Sequence, residues 1–223
     1  MRKILAVFPV LSGLVLAGAP AQADGIAVGA GISSLGYGVH VATEVNSFLA
    51  VRLNGNFGDF DVPDFGLLGS SLGGIDYDID ASMRTVGLLA DFHPLGLSPI
   101  GGGFVLTGGI YYNKNEFEFI TEAAGIDVGG GTLSGRLVST MTFDKQYAPY
   151  VGLGYDGTFQ GILPVSIFAT AGVLFQGSPS VTSSLVSGSC AGCNLALEAS
   201  QLEDDASEFK YYPVIAVGLT ISF

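Results

Sequence analysis

The chain has 223 residues, 48% of them hydrophobic and only 13% charged, with 34 glycines, two cysteines and a formal net charge of −12. A soluble domain usually carries about 25% charged residues, and so acidic a chain is a poor partner for nucleic acid or an anionic lipid surface. Beyond the N-terminal segment no apolar run reaches the ~18 residues of a transmembrane helix, so the apolar excess has to be read as alternation.

The N-terminus has the pattern of a signal peptide. Arg2 and Lys3 precede an apolar run from Ile4 to Gly18, and Ala21-Gln22-Ala23 supplies a small-x-small cleavage site. Residues 1–23 are expected to be removed on export. That leaves 24–223 as one domain with six basic and 20 acidic residues, a formal charge of −14.

From Gly25 onward the chain alternates. Ile26, Val28, Ala30 and Ile32 oppose Ala27, Gly29 and Gly31; after the turn Ser34-Leu35-Gly36, Tyr37, Val39, Val41, Thr43 and Val45 oppose Gly38, His40, Ala42 and Glu44. A period of two puts such sets on opposite faces of a strand. Beyond Asn46-Ser47, Leu49, Val51, Leu53 and Phe57 oppose Ala50, Arg52, Asn54 and Asn56. A soluble barrel buries its apolar face inside. Polar-in and apolar-out is the inversion that lipid imposes.

Residues 58–74 are a long loop of turn residues. The next strand, 75–92, is predicted with Ile79, Ala81, Met83 and Leu89 outward and Asp78, Asp80, Ser82 and Arg84 inward. A Pro/Gly-rich turn leads to a strand over 104–119, with Phe104, Leu106, Ile110 and Tyr112 outward. Its phase changes near Tyr111-Tyr112, predicting a bulge or the point where the strand leaves the membrane. After a loop over 121–131, strands are read over 133–143, 147–155, 165–175 and 180–187, with Arg136 on the inner face of the first. Cys190 to Ser207 is an acidic loop in which Leu195, Ala199, Leu202 and Ala206 space as a short helix.

The last stretch, 209–223, carries Phe209, Tyr211, Pro213, Ile215, Val217, Leu219, Ile221 and Phe223 on one face. A tilted spanning strand needs only ~9–11 residues, and aromatics at both ends match the girdles of a membrane barrel. The chain therefore reads as an all-β, antiparallel, up-and-down transmembrane barrel. Ten strands are preferred, because an even count puts both ends on the periplasmic side and the loops 58–74, 120–131 and 188–207 on the outer face. Eight strands result if 25–45 is one bulged strand and 180–187 stays in a loop.

Several segments together carry a resemblance: RTVGLLADFHP at 84–94, GIYYNKNEF at 109–117, APYVGLGY at 148–155, VLFQGSPSV at 173–181 and FKYYPVIAVGL at 209–219. They resemble a group of small Gram-negative outer-membrane proteins with a barrel of the outer-membrane protein A/W kind, over nearly all of the chain after residue 23. The resemblance implies export through the periplasm to the outer membrane and contact with its lipids and lipopolysaccharide. It also implies insertion by the barrel-assembly machinery, which would read Phe223 as the terminal aromatic. It carries no catalytic residues, and a monomer is expected.

Candidate sites are few. Cys190 and Cys193 are the cysteine pair, and in an oxidising compartment they read as a local disulfide. A thioredoxin-like role would need a βαβ setting, and zinc would need two further ligands nearby. His40 and His93 invite comparison with outer-membrane lipid A deacylases, which resemble this chain in size and use a His–Ser pair on the outer face. His40 falls inward, however, and neither histidine is followed by Ser, so a lipid-modifying hydrolase is the least favoured function.

Asp76, Asp78 and Asp80, with Asp59, Asp61 and Asp64, make an acidic rim that could take calcium or magnesium bridging lipopolysaccharide phosphates. Their spacing is not that of an EF-hand; a solvated rim is preferred, and no metal or cofactor is expected. Glu44, Arg52, Asp80, Arg84 and Arg136 fall on the predicted inner face beside Asn54, where pairing across the lumen is the default for costly charges. With eight to ten strands the interior is little wider than its side chains. A structural or surface-interaction barrel with acidic extracellular loops, not an enzyme, is therefore expected; a narrow passive pore lined by those charges is the alternative. Deletion of Phe223 is expected to lower the amount of inserted protein, measured by immunoblot of outer-membrane fractions; an unchanged amount would remove the assembly role.

Overall fold

The computed structural model describes residues 25–61, 71–72, 75–76, 78–97, 103–159 and 164–223. The expected signal peptide, 1–23, and Asp64 lie outside them. The described strands are β1 (Ile26–Ser33), β2 (Gly36–Asn46), β3 (Leu49–Asp61), β4 (Ser71–Leu72), β5 (Ile75–Asp76), β6 (Asp78–Phe92) and β7 (Phe104–Asn113). They continue with β8 (Glu116–Val128), β9 (Gly131–Phe143), β10 (Tyr147–Asp156), β11 (Val165–Phe175), β12 (Pro179–Ala191) and β13 (Tyr211–Ser222). A helix, α1 (Leu195–Asp205), and a 3-10 turn over Ala206–Lys210 precede β13.

Eight of these strands close into an antiparallel barrel in the order β1-β2-β3-β6-β7-β10-β11-β13, with β13 pairing back to β1. Closure leaves no barrel edge, as a bilayer requires when no water is present to satisfy backbone groups. The preferred count of ten strands is therefore corrected to eight, and by a different route from the eight considered above. Residues 25–45 form two strands, not one bulged strand. The predicted strand 104–119 breaks at Lys114-Asn115, and β8, β9 and β12 leave the barrel altogether.

The departure happens at β6. Its half nearer the chain termini pairs with β7, from Thr85↔Asn113 to Phe92↔Leu106, whereas its other half pairs with β8, from Asp78↔Ile120 to Ser82↔Glu116. At the fork the backbone of Arg84 would have no strand partner on that side. Asn115 and Lys114 supply one: Arg84 N–H donates to Asn115 Oδ1 at 3.1 Å, and Lys114 N–H donates to Arg84 O at 2.9 Å. The change of phase at Tyr111-Tyr112 thus marks the place where the chain turns off the barrel wall.

The outward face of the barrel is apolar. Val39, Val41, Leu53, Val86, Leu88, Leu106, Ile110, Val151, Leu153, Ile167, Ile215, Val217 and Leu219 are all exposed. Aromatics ring this band at both ends. Tyr37–Phe57, Tyr112–Tyr147 and Phe175–Tyr211 pair at 6.3, 5.5 and 5.7 Å between ring centroids at the end away from the termini. Phe48, Phe92, Phe104, Tyr155 and Phe223 lie exposed at the end where the termini meet. Large apolar side chains are left exposed only where lipid covers them, so this belt spans a membrane.

The insertions between β3 and β6, β7 and β10, and β11 and β13 all emerge at the end opposite the termini. There β8, β9 and β12 extend the sheet from β6. α1 buries Leu202, with Ala206 after it, against Ile79, Ala81, Met83, Phe117, Phe119, Met141 and Val181. The apolar helical spacing of Leu195, Ala199, Leu202 and Ala206 is this covering face.

Replacing Asn115, which is 3% exposed, by Ala leaves the Arg84 N–H without its acceptor. A cost of about 1–3 kcal/mol is expected, read as a lower unfolding temperature in the gel-shift of the detergent-solubilised barrel; no change would mean that water replaces the side chain freely.

Candidate functional site

The alternate residues of the barrel strands fill the lumen. Arg52 of β3 pairs with Asp91 of β6 across neighbouring strands, Nη2 to Oδ1 at 2.9 Å, and both side chains are buried. The Thr107 hydroxyl of β7 donates to the same carboxylate at 2.6 Å. Above this pair Asn56 Nδ2 donates to Asn54 Oδ1 at 2.6 Å and to Thr85 Oγ1 at 2.9 Å, and Tyr111 OH donates to Asn54 Oδ1 at 3.3 Å. His40 Nε2 lies 3.4 Å from the Thr220 hydroxyl, and its ring stands edge-on to Phe168 at 5.2 Å. Arg52 Nε has no hydrogen-bond partner among the described residues.

Glycines make this filling possible. A Cβ on Gly87 would collide with the Tyr111 ring, one on Gly152 or Gly172 with the Tyr150 hydroxyl, and one on Gly218 with the Phe168 ring. Each bulky ring occupies the space over bare glycine backbone, on a neighbouring strand for Gly87, Gly172 and Gly218 and on its own strand for Gly152. Tyr111 and Tyr150 meet there edge to face, 5.5 Å between centroids. The void left among His40, Arg52, Asn54, Tyr111, Tyr150 and Thr170 is about 30 Å³, room for about two waters.

Toward the insertion end the lumen turns apolar, with Leu35, Leu174 and Val214 buried beside Tyr111 and Tyr150. Tyr212 packs against both this cluster and the one under α1. Between them Asn113 Nδ2 donates to Gln176 Oε1 at 3.1 Å, and Gln176 Nε2 donates to Phe209 O at 3.0 Å. The lumen is stopped twice, by an ion pair with two tyrosines and by an apolar layer.

Of the five predicted lumen charges, only Arg52 lies in this interior. Glu44 has the lumen parity but sits exposed at the rim near the termini. Asp80 and Arg84 point outward from β6, and Arg84 makes an exposed 3.6 Å pair with Asp59. Arg136 is exposed on β9, beyond the barrel. The reason is that one face of β6 changes surroundings along its length. Ile79, Ala81 and Met83 are buried under α1, and Thr85, Leu89 and Asp91 continue the same face into the lumen. Asp91 was missed because it shares its parity with those apolar residues.

His40 and His93 are both buried, at 4% and 2% exposed, away from the lipid face. Burial holds the His93 imidazole below its ordinary pKa, with the nearby Asp156 and Asp91 opposing the shift and Arg52 adding to it. Cys190, near the end of β12, and Cys193, in the loop before α1, form a disulfide. Asp78 and Asp80 are exposed on β6 and Asp76 lies in β5; among the described residues no group of three His, Cys, Asp or Glu is placed to hold a metal ion.

No family model and no curated protein matches the chain. Among solved structures it is similar to CarO2 of Acinetobacter baumannii, with 22% identity and a TM-score of 0.64, and to CarO of the same organism, with 23% and 0.62. Each match covers 89% of this chain and 98% of the other. These likenesses show the fold, a closed eight-stranded antiparallel barrel. A major outer membrane protein from Thermus thermophilus also matches, with 17% identity and a TM-score of 0.44, over 91% of this chain and 100% of that one.

Two arginines of this barrel should respond unequally to truncation. Arg52→Ala strands the buried Asp91 carboxylate and is expected to cost about 3–5 kcal/mol. Arg84→Ala breaks an exposed pair and is expected to cost under about 1 kcal/mol. Urea unfolding of the two variants in lipid or detergent checks this; equal costs would refute the assignment of Arg52 to the closed lumen.

Proposed function

We propose that the protein is a closed outer-membrane barrel that holds a folded surface unit, a structural or surface-interaction role and not a passage for solute. The observation that carries this reading is the filled lumen: the Arg52–Asp91 pair, the Tyr111–Tyr150 contact and the apolar layer of Leu35, Leu174 and Val214 lie in series. A passive pore needs a continuous wet path, and these layers of side chains interrupt it. The hydrolase alternative lacks a base that lipid can reach, since both imidazoles are buried.

In this reading the end of the barrel that holds the termini faces the periplasm and the insertions face outward. The outward unit then presents Asp59, Asp78, Asp80, Glu116 and Glu122 on the sheet face away from α1. Outer-membrane lipid and lipopolysaccharide surround the apolar belt. One chain closes the barrel by itself, in keeping with a monomer.

Planar-bilayer recording tests the proposal. The unaltered protein is expected to show no stable single-channel conductance, whereas Arg52→Ala, Tyr111→Ala and Tyr150→Ala combined with Leu35→Ala and Leu174→Ala should conduct, because together they truncate both layers that lie in series. A steady conductance from the unaltered protein that changes ion preference in Arg52→Ala would replace this reading with the pore.

A further inference from the structure

α1 is fastened to the sheet at two separate places, its C-terminal half on the larger apolar core and its start on a smaller apolar cluster with a polar grip beside it. Its C-terminal half is held by Leu202, and by Ala206 beyond it, in the core beneath. Its first turn is held by Leu195, packed beside both half-cystines on Val128, Leu133 and Leu137, and by polar contacts to Gly129. Asn194, the N-cap, accepts the Leu197 N–H on its side chain at 3.1 Å and donates its own N–H to Gly129 O at 3.3 Å. Glu198, only 5% exposed, accepts the Gly129 N–H at 3.1 Å. Both backbone groups of one residue in the β8–β9 turn are therefore gripped by the start of the helix.

The grip depends on a backbone-to-backbone fit. A Cβ on Gly129 would collide with the Asn194 carbonyl, and one on Gly131 with the Cys193 amide. What holds residues 190–193 in the shape that fits is the bond between Cys190 and Cys193, whose Cα atoms are 5.4 Å apart. Both half-cystines are half-buried, packed on Val128, Leu133 and Leu137.

We propose that the Cys190–Cys193 disulfide is a redox-operated latch, which fastens the first turn of α1 to the β8–β9 turn and releases it on reduction. A thiolate of a dithiol reductant attacks one sulfur and forms a mixed disulfide, and the reductant's second thiol then closes its own ring. The reductant leaves oxidised, and the protein keeps two thiols. Without the cross-link the loop gains conformational freedom, and the fit that seats Leu195 and brings the Glu198 carboxylate to the Gly129 N–H is loosened. The C-terminal half of α1 stays in place on its apolar core, so the cap opens from the Asn194 end.

The test uses the folded full-length protein in detergent, oxidised or treated with dithiothreitol, and a glutamate-specific protease. Cleavage after Glu198 is expected to rise on the order of tenfold on reduction, the size set by freeing so short a cross-linked loop, while the heat-modifiable gel shift of the barrel stays unchanged. Cys190→Ser with Cys193→Ser should cleave at the reduced rate with or without reductant. If that variant fails to assemble, the reduction arm still decides, because it starts from the folded chain. Equal cleavage in the two redox states, two free thiols in the protein purified without reductant, or loss of the barrel's heat-modifiable gel shift on reduction would each overturn the proposal.

Discussion

The structure depends on how one edge of β6 is shared. Every backbone amide in a lipid-facing wall needs a partner, and β6 meets that demand with β7 over half its length and β8 over the rest. The first pairing closes the barrel. The second starts the sheet that stands beyond it. At the junction two consecutive loop residues, Lys114 and Asn115, satisfy the Arg84 backbone that neither strand reaches. A short polar bridge thus lets one continuous strand serve two environments.

The closed interior follows from a balance between ring size and backbone bareness. An eight-stranded barrel has an interior just wide enough for side chains to fill. Tyr111, Tyr150 and Phe168 fill it because Gly87, Gly152, Gly172 and Gly218 leave the facing wall bare. Arg52 Nε excepted, the polar groups beside these rings are paired within the lumen, with Asp91 taking both Arg52 and Thr107. Buried charge of this kind adds little net stability but penalises loss of either partner heavily.

Barrel and cap share one continuous inner face. Along β6 the same parity carries Met83 under α1, then Thr85, Leu89 and Asp91 into the lumen. Tyr212 joins the two regions from β13, touching both apolar clusters and donating its hydroxyl to Ser34 O at 2.8 Å. The cap is therefore packed onto the mouth of the barrel, and its mobility is governed by how α1 is fastened at each end.

The sequence by itself determined the lipid inversion and the strands that lie wholly within the membrane. In β1, β2, β3, β10, β11 and β13 one face meets lipid along nearly the whole span, so Val39, Leu53, Val151, Ile167 and Val217 alternate cleanly and Arg52 falls inside. The helix was also legible, because Leu195, Ala199, Leu202 and Ala206 follow one face of a 3.6-residue turn. Only the tertiary structure decided the number of barrel strands and the fate of Asp80, Arg84, Asp91 and Arg136. A period of two states that a strand has two faces but not what covers each. In β6 the odd face is apolar under α1 and mixed in the lumen, while the even face is polar at Asp80 and Arg84 and apolar at Val86 and Leu88. The residue types exchange faces because the surroundings change from water to lipid partway along the strand. That change is set by the pairing of β6 with β8, a contact between segments about 40 residues apart that no local pattern records.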